Sequence, residues 1–199
     1  MNLVFKNLLD YWPLAYIKES DIKNRFRNED AKRHSLVKRA VQAGRLVRLK
    51  KGLYGLKNSP YQLANIIYSP SYISFETALF IHGLIPEYVH IIRSATPKKN
   101  KIYETGYGTF EYVYIPPKHF LIGVEKKEGF LIASPFKALI DILFSQNRNW
   151  QNLHDAMDDL RIESEAVFPK RKDFDAMMMH CSSKKLLKFL NTVPKEILI

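Results

Sequence analysis

The amino-acid sequence predicts an α+β protein, in which a small helical head with a hairpin precedes a mixed domain that ends in helices. Apolar residues recur at helical spacing in residues 2–43 and after residue 134, and they alternate around residues 45–56 and 109–133. The chain has 199 residues, of which 46% are hydrophobic and 26% are charged. This composition is typical of one large or two small globular domains and excludes disordered and fibrous proteins.

Three helices are predicted in the head. Apolar residues over 2–12 indicate the first helix, Ser20 is expected to cap a short second helix, and the third is expected over about 31–43, ending at Gly44. On a helical wheel the third helix has one apolar side, which includes Val41, and one polar side. The polar side carries no acidic residue and consists of Lys32, Ser35, Lys38, Arg39 and Gln42.

A basic hairpin is predicted directly after the third helix. The apolar period changes to two, which indicates strands over 45–49 and 53–56 joined by a turn at residues 50–52. Three helices followed by a hairpin is the order of a winged helix-turn-helix. The third helix is expected to read base edges in the major groove of DNA. Phosphate contacts are expected from Arg45, Arg48, Lys50 and Lys51.

The distribution of charge supports a polyanionic partner for the head. The chain has 31 basic and 20 acidic residues, a net charge of +11 and a pI near 9.6. Residues 1–59 contain 14 basic and 5 acidic residues, whereas residues 60–199 contain 17 and 15. Such an asymmetry favours a nucleic-acid-binding module joined to a module of another kind. The alternative is a winged helix that contacts only proteins, its charges being merely solvated.

We therefore predict three segments, which are a DNA-binding domain over 1–59, a connector over 60–72 and a carboxy-terminal domain over 73–199. Capping residues and alternating patterns place the elements of the last segment. These are a helix from Ser74 to about His82, strands over 89–95, 109–115, 120–124 and 130–133, a helix that starts at Ser134-Pro135, and helices to the end of the chain.

Signals for enzymatic chemistry are weak. Asp155, Asp158 and Asp159 could hold a divalent metal, as in a nuclease. They lie on the polar side of a predicted helix, however, where solvated acidic residues are ordinary. The sequence has no phosphate-binding glycine loop, no serine-centred elbow and no Cys/His spacing typical of a metal site. We expect a protein without catalytic residues, metal or cofactor, and a metal-dependent nuclease is the alternative.

The compartment is predicted from cysteine usage and from apolar segments. Cys181 is the single cysteine, so the chain cannot form an internal disulfide, which fits a reducing compartment. The amino-terminal residues lack the pattern of an export signal. No stretch approaches the ~20 apolar residues that a membrane-spanning helix needs. These features predict a soluble cytoplasmic protein.

Three segments of the sequence resemble one family. Residues 71–86 (SYISFETALFIHGLIP) resemble the helix that follows the wing in AbiEi-type antitoxins, which are transcriptional regulators of abortive-infection systems. Residues 45–54 (RLVRLKKGLY) look like the wing of that family, and residues 132–143 (IASPFKALIDIL) are similar to its late helix. The resemblance spans about residues 1–145 in the same order, and it does not extend to a motif in residues 146–199.

The resemblance implies a repressor that is also an antitoxin. Its winged helix would bind operator repeats in double-stranded DNA and repress its own operon, with two copies on DNA as a dimer or as cooperating monomers. Its carboxy-terminal domain would counteract a nucleotidyltransferase toxin without a stable complex between them. The alternative is a winged-helix regulator whose second domain senses a small ligand. The aromatic residues for such a site are Tyr103, Phe110, Tyr112 and Tyr114.

Overall fold

The protein is mixed α+β, and its described residues form two β-sheets, of three and six strands, in a computed structural model. The structure describes residues 6, 9–10, 14–26, 30–56, 60–86, 90–146 and 148–199. Most of the predicted first helix, over 2–12, lies outside these residues, although Lys6, Leu9 and Asp10 are helical. Across the described part of the chain, no helix has the length and apolar character needed to cross a membrane.

Between residues 14 and 56, the described part of the head combines two helices with a three-stranded antiparallel sheet. The strand order is β1-β3-β2, and Ile17 of the first strand is opposite Tyr54 of the third. The first strand was not predicted, because three residues are too few to show an alternating pattern. The elements are β1 (Tyr16–Lys18), α1 (Glu19–Arg25), α2 (Asp30–Gln42), β2 (Val47–Lys50) and β3 (Leu53–Gly55).

Local capping sets the ends of both described helices of the head. Helix α1 begins at Glu19, so the prediction that Ser20 caps it was wrong. The Asp21 carboxylate instead accepts a hydrogen bond of 3.0 Å from the backbone N–H of Lys18, which closes the first turn. Helix α2 ends before Gly44, as predicted, because this residue has a φ of +66°, a conformation that glycine adopts without strain.

The second region contains a six-stranded sheet with helices packed against it. The strand order is β6-β7-β5-β4-β9-β8, with parallel pairing in β5/β7 and β4/β9 and antiparallel pairing elsewhere. The helices are α3 (Pro60–Ile67), α4 (Phe75–Ile81), α5 (Pro135–Ser145), α6 (Leu153–Asp159), α7 (Arg171–His180) and α8 (Lys184–Leu190). The strands are β4 (Tyr72–Ile73), β5 (Ile91–Thr96), β6 (Lys101–Thr105), β7 (Gly108–Tyr114), β8 (Val124–Lys127) and β9 (Phe130–Ala133).

Three strand predictions in the second region need correction. Strand β4 was not predicted, because its two residues are too few to show an alternating pattern. Strand β6 was not predicted, because it is an edge strand whose exposed residues mask the alternation. Strand β8 begins at Val124 and not at Phe120, since residues 117–119 form a short 3-10 helix and residues 120–123 form bends and a turn. The predicted start of α5 is confirmed, because the Ser134 hydroxyl accepts from the Lys137 backbone N–H at 3.3 Å.

A buried ionic cluster joins the sheet to α5. The Lys137 ammonium donates to the Asp141 carboxylate at 2.7 Å, and each of the two side chains is about 1% exposed. The hydroxyls of Tyr72 and Ser74 donate to the second Asp141 oxygen, at 2.8 and 2.7 Å. Ser74 occupies the N-cap position of α4, as predicted, but its hydroxyl is used in this cluster and not for capping. Both charges are therefore paired and hydrogen-bonded inside the core.

The head and the second region share part of their core. Leu49 and Leu53 of the hairpin pack in the same apolar cluster as Leu63 of α3 and the sheet of the second region. The Tyr107 hydroxyl, in the turn between β6 and β7, donates to the Leu56 carbonyl at 2.5 Å. Gly55 lies at this junction, where an added Cβ would be 2.8 Å from the Tyr107 ring. The hairpin is thus held against the second region along one side.

Candidate nucleic-acid interface

Helix α2 exposes one continuous polar face, as its amphipathic pattern predicts. Its apolar residues Leu36, Val37 and Ala40 are buried in the core of the head. Because a helix has 3.6 residues per turn, the residues between them are directed outward. We call the outward set the α2 face, and all five of its members are exposed: Lys32, Ser35, Lys38, Arg39 and Gln42.

A cleft of about 290 Å³ lies between the α2 face and the hairpin. Lys38 and Gln42 line it from α2, while Arg48 and Tyr54 line it from the hairpin. Lys51, at the tip of the hairpin, is exposed. The structure therefore brings three of the predicted DNA-contacting residues around one cleft.

One acidic residue also borders this cleft. Glu19 lines it, and its backbone N–H donates to the Gly52 carbonyl at 2.9 Å, which holds α1 against the hairpin turn. Burial raises the pKa of the Tyr54 hydroxyl, Glu19 raises it further, and Arg48 opposes that rise. Tyr54 is consequently a neutral hydroxyl at the base of a mostly cationic cleft, and it can donate or accept a hydrogen bond.

Two of the predicted phosphate-contacting residues have partners within the protein. The Lys50 ammonium donates to the Ile67 carbonyl at 2.5 Å and lies 5.9 Å from the centre of the Tyr103 ring. Its pKa is lowered, first by burial and then by the nearby charge of Lys98. Arg45 forms an ion pair with Asp10. Lys50 therefore faces the second region, whereas its neighbour Lys51 is exposed at the tip.

Four further residues of α2 line the cleft and were not among the predicted contacts, namely Arg33, His34, Val37 and Val41. Val41 was predicted to lie on the apolar side, but it is 36% exposed and lines the cleft, because it lies at the edge of the apolar stripe of the helix. His34 is exposed and lines the same cleft. The spacing of His34, Lys38 and Val41 is i, i+4 and i+7, the helical signal that could have found them. An exposed valine can contact the methyl group of thymine.

The four aromatic residues proposed for ligand sensing do not share one environment. Phe110 and Tyr112 are fully buried in the core, and the Tyr112 hydroxyl donates to the Ala64 carbonyl at 2.6 Å. Tyr103 is half-buried beneath lysine side chains, and Tyr114 is 44% exposed at the end of its strand. Two of the four are therefore core residues, and only Tyr114 is well exposed.

The three aspartates proposed for a nuclease have structural contacts or lie in solvent. Asp159 accepts hydrogen bonds from the Trp150 indole at 2.9 Å and from Arg148 at 3.0 Å. Asp155 accepts from the backbone N–H of Gln151 at 2.8 Å, which closes the start of α6, and Asp158 is exposed. Within the described ranges, no group of three or more His, Cys, Asp or Glu side chains is placed to hold a metal ion.

Comparisons with known proteins concern the fold. No protein-family model matches the chain, and no curated protein matches its sequence. A solved structure that is similar is the RV2827C protein from Mycobacterium tuberculosis, with 15% sequence identity and a TM-score of 0.54. The similarity covers 94% of this chain and 80% of that one. At this level of identity, the two proteins are similar in fold alone.

Proposed function

We propose that this protein is a sequence-specific DNA-binding transcriptional regulator of the AbiEi antitoxin type. The observation that carries the proposal is the α2 face, an exposed and acid-free helical surface beside a basic hairpin. In this reading α2 enters the major groove, and Lys38, Arg39 and Gln42 donate to base edges. Lys51 contacts the phosphate backbone from the hairpin tip, and Arg48 does so from β2.

The strand and helix order of the head supports a winged helix-turn-helix. Helical residues come before β1, and α1, α2, β2 and β3 follow in that order. In the sheet order β1-β3-β2 the two hairpin strands are neighbours, and Arg48 of β2 lines one cleft together with Lys38 of α2. A DNA duplex bound across this cleft would therefore contact both elements at once.

The proposed biological role follows the family resemblance. The protein would repress its own operon by binding operator repeats as a dimer or as cooperating monomers. It would also counteract a nucleotidyltransferase toxin encoded alongside, without a stable complex. Co-expression tests this second part, because cells carrying the neighbouring toxin gene should grow only when this protein is also produced. Failure to rescue growth, with repression intact, would leave a regulator without antitoxin activity.

A binding titration with DNA from upstream of the gene tests the DNA-binding part. The wild-type protein should bind this duplex more tightly than an unrelated duplex, and log K should fall with log[salt] by about 0.9 for each neutralised phosphate. A Lys38→Ala/Arg39→Ala variant should lose the preference for the upstream duplex. The control is Lys172→Ala/Lys184→Ala, which removes two exposed cations far along the chain. Equal loss in both variants would contradict a role for the α2 face.

A further inference from the structure

A surface depression of about 600 Å³ lies beside the loop that joins β5 to β6. The loop contributes consecutive residues from Pro97 to Asn100, and Tyr68 and Tyr114 contribute aromatic rings. The lining thus combines cationic, amide and aromatic groups, and it includes no carboxylate. It was not predicted, because its residues come from three separate parts of the sequence.

Hydrogen bonds hold the loop in place. The Asn100 side-chain carbonyl accepts from the backbone N–H of Tyr114 at 2.7 Å, and the Tyr68 hydroxyl donates to the Lys99 carbonyl at 3.3 Å. The Lys98 ammonium donates to the Ser69 carbonyl at 2.5 Å and lies 5.5 Å from the centre of the Tyr68 ring. A loop held at several points loses little further conformational freedom when a ligand binds.

Several lysine side chains lie close together in and beside the depression. Lys99 is exposed, and its ammonium has no hydrogen-bond or ion-pair partner in the described part of the protein. Two further lysines lie near the depression, because the ammonium groups of Lys101 and Lys50 are each 5.9 Å from the centre of the Tyr103 ring. The charge of Lys98 contributes to lowering the pKa of Lys50, so these cations repel one another. A bound anion would relieve that repulsion.

The aromatic residues differ in how accessible they are. Tyr68 packs against Tyr112 with ring centres 5.2 Å apart, so it forms a fixed wall of the depression. Tyr114 is 44% exposed and can present a ring face to a planar ligand. Lysines for phosphate beside an exposed aromatic ring for a base are the combination that proteins use to hold nucleotides.

We propose that this depression binds a nucleotide unit, with its phosphates on Lys98 and Lys99 and its base against Tyr114. The unit could be a free nucleotide or part of a nucleic-acid strand, because both offer the same phosphate and ring. This site lies in the second region and goes beyond the proposed function, since it does not use the α2 face.

Titration of the full chain by calorimetry, with ATP in one arm and a twelve-residue oligothymidylate in the other, tests the proposal. At least one of them should bind the wild-type protein. Lys98→Gln/Lys99→Gln should weaken that binding by about tenfold or more, since hydrogen bonds to charged groups are lost. Tyr114→Ala should weaken it as well. The matched control, Lys118→Gln/Lys172→Gln, removes two exposed lysines elsewhere and should bind normally.

The outcomes distinguish a free nucleotide from a nucleic-acid strand, and they distinguish this site from DNA binding by the α2 face. If the wild-type protein binds ATP and the lysine variant does not, the ligand is a free nucleotide. If only the binding of oligothymidylate is lost in the lysine variant, the ligand is a nucleic-acid strand. Lys38→Ala/Arg39→Ala should keep this binding even though it loses the upstream duplex, so either proposal can fail without the other. The proposal is overturned if neither ligand binds or if the lysine variant binds normally. It is also overturned if inorganic tripolyphosphate binds as well as ATP while Tyr114→Ala has no effect.

Discussion

Basic side chains have different roles in the head and in the second region. In the second region, Arg93 forms ion pairs with Glu76 at 2.9 Å and with Glu111 at 2.8 Å, and Lys137 is paired inside the core. On α2, by contrast, the side chains of Lys38 and Arg39 make no hydrogen bond or ion pair within the described residues. The paired charges of the second region stabilise the fold, whereas Lys38 and Arg39 on α2 are available to a partner.

This difference shows why a net charge is a poor guide to function until burial is known. The head and the second region contain similar numbers of basic residues, but Arg93, Lys137, Arg148 and Lys170 of the second region form ion pairs with carboxylates. Lys50 and Lys51 show the same contrast between neighbours, because one donates to the Ile67 carbonyl and the other is exposed. A cationic residue is a candidate contact for DNA when its side chain is exposed and has no partner within the protein, and the number of basic residues in a region does not show this.

The largest effect is expected from removing the carboxylate of the buried pair. Asp141→Ala leaves the Lys137 ammonium charged and unpaired in the core, which should lower the free energy of unfolding by about 3–5 kcal/mol. Urea unfolding measures this change. Asp141→Ala/Lys137→Met should recover part of the loss, since no buried charge remains. A loss below about 1 kcal/mol in the single variant would show that the pair is not structural.

A close packing contact at the junction gives the next effect. Gly55→Ala places a methyl group 2.8 Å from the Tyr107 ring and 3.1 Å from the Leu63 side chain. Overpacking of this kind should destabilise the protein by about 1–3 kcal/mol in urea unfolding. Gly55→Ala/Tyr107→Leu should be less affected than the sum of its single changes. Unchanged stability in Gly55→Ala would mean that the hairpin is not held closely against the second region.

Arg39→Ala tests base recognition by α2. Loss of a guanidinium that reads a base edge should reduce discrimination at one operator position by about 1–3 kcal/mol. Competition binding with duplexes that carry single base changes measures it. Stability should stay near that of the wild type, because Arg39 is exposed. If operator preference were untouched, α2 would not be the helix that reads the bases.

Lys51→Ala and Lys50→Ala compare two neighbouring lysines. Lys51→Ala should weaken binding to all duplexes alike and reduce the log–log salt slope by about 0.9, as expected for one lost phosphate contact. Lys50→Ala should leave that slope unchanged and lower stability, because it removes the hydrogen bond to the Ile67 carbonyl. Salt titrations and urea unfolding of both variants separate the effects. The reverse pattern would place Lys50 on DNA.

The smallest effect is a pH dependence from His119. Burial lowers its pKa, and the charge of Lys137 lowers it further. The unfolded chain therefore takes up a proton more readily, so the contribution to stability is complete above the ordinary pKa of 6.5 and decreases as pH falls below it. The other charged groups that act on this ring are Asp141, His180 and Lys118.

Unfolding free energies at about pH 7.5 and about pH 5.5 measure this dependence. The wild-type protein should lose stability between the two, and His119→Gln should lose less. Part of the dependence should remain in the variant, because burial also lowers the pKa of His82. An equal loss in the wild type and in the variant would assign the dependence to other groups.

The sequence predicted well the helix ends that are set by capping residues, and it predicted poorly the strands that depend on pairing with distant strands. The Ser134-Pro135 start of α5 and the Gly44 end of α2 are confirmed, because capping depends on a few adjacent residues. Strands β1, β4 and β6 were missed, since short or edge strands are stabilised by partners distant in sequence. Val41 was assigned to the wrong side, because the width of the apolar stripe depends on what covers it.

Periodicity and charge were enough to locate the basic, amphipathic helix and the hairpin that follows it, because both patterns depend on residues that are close together in the sequence. Whether each charged side chain is buried, paired or exposed was decided by folding. Lys50 faces Ile67, Lys137 is enclosed with Asp141, and Lys98 joins Tyr114 at one depression. Burial and pairing depend on residues that are far apart in the chain and meet only in the folded protein.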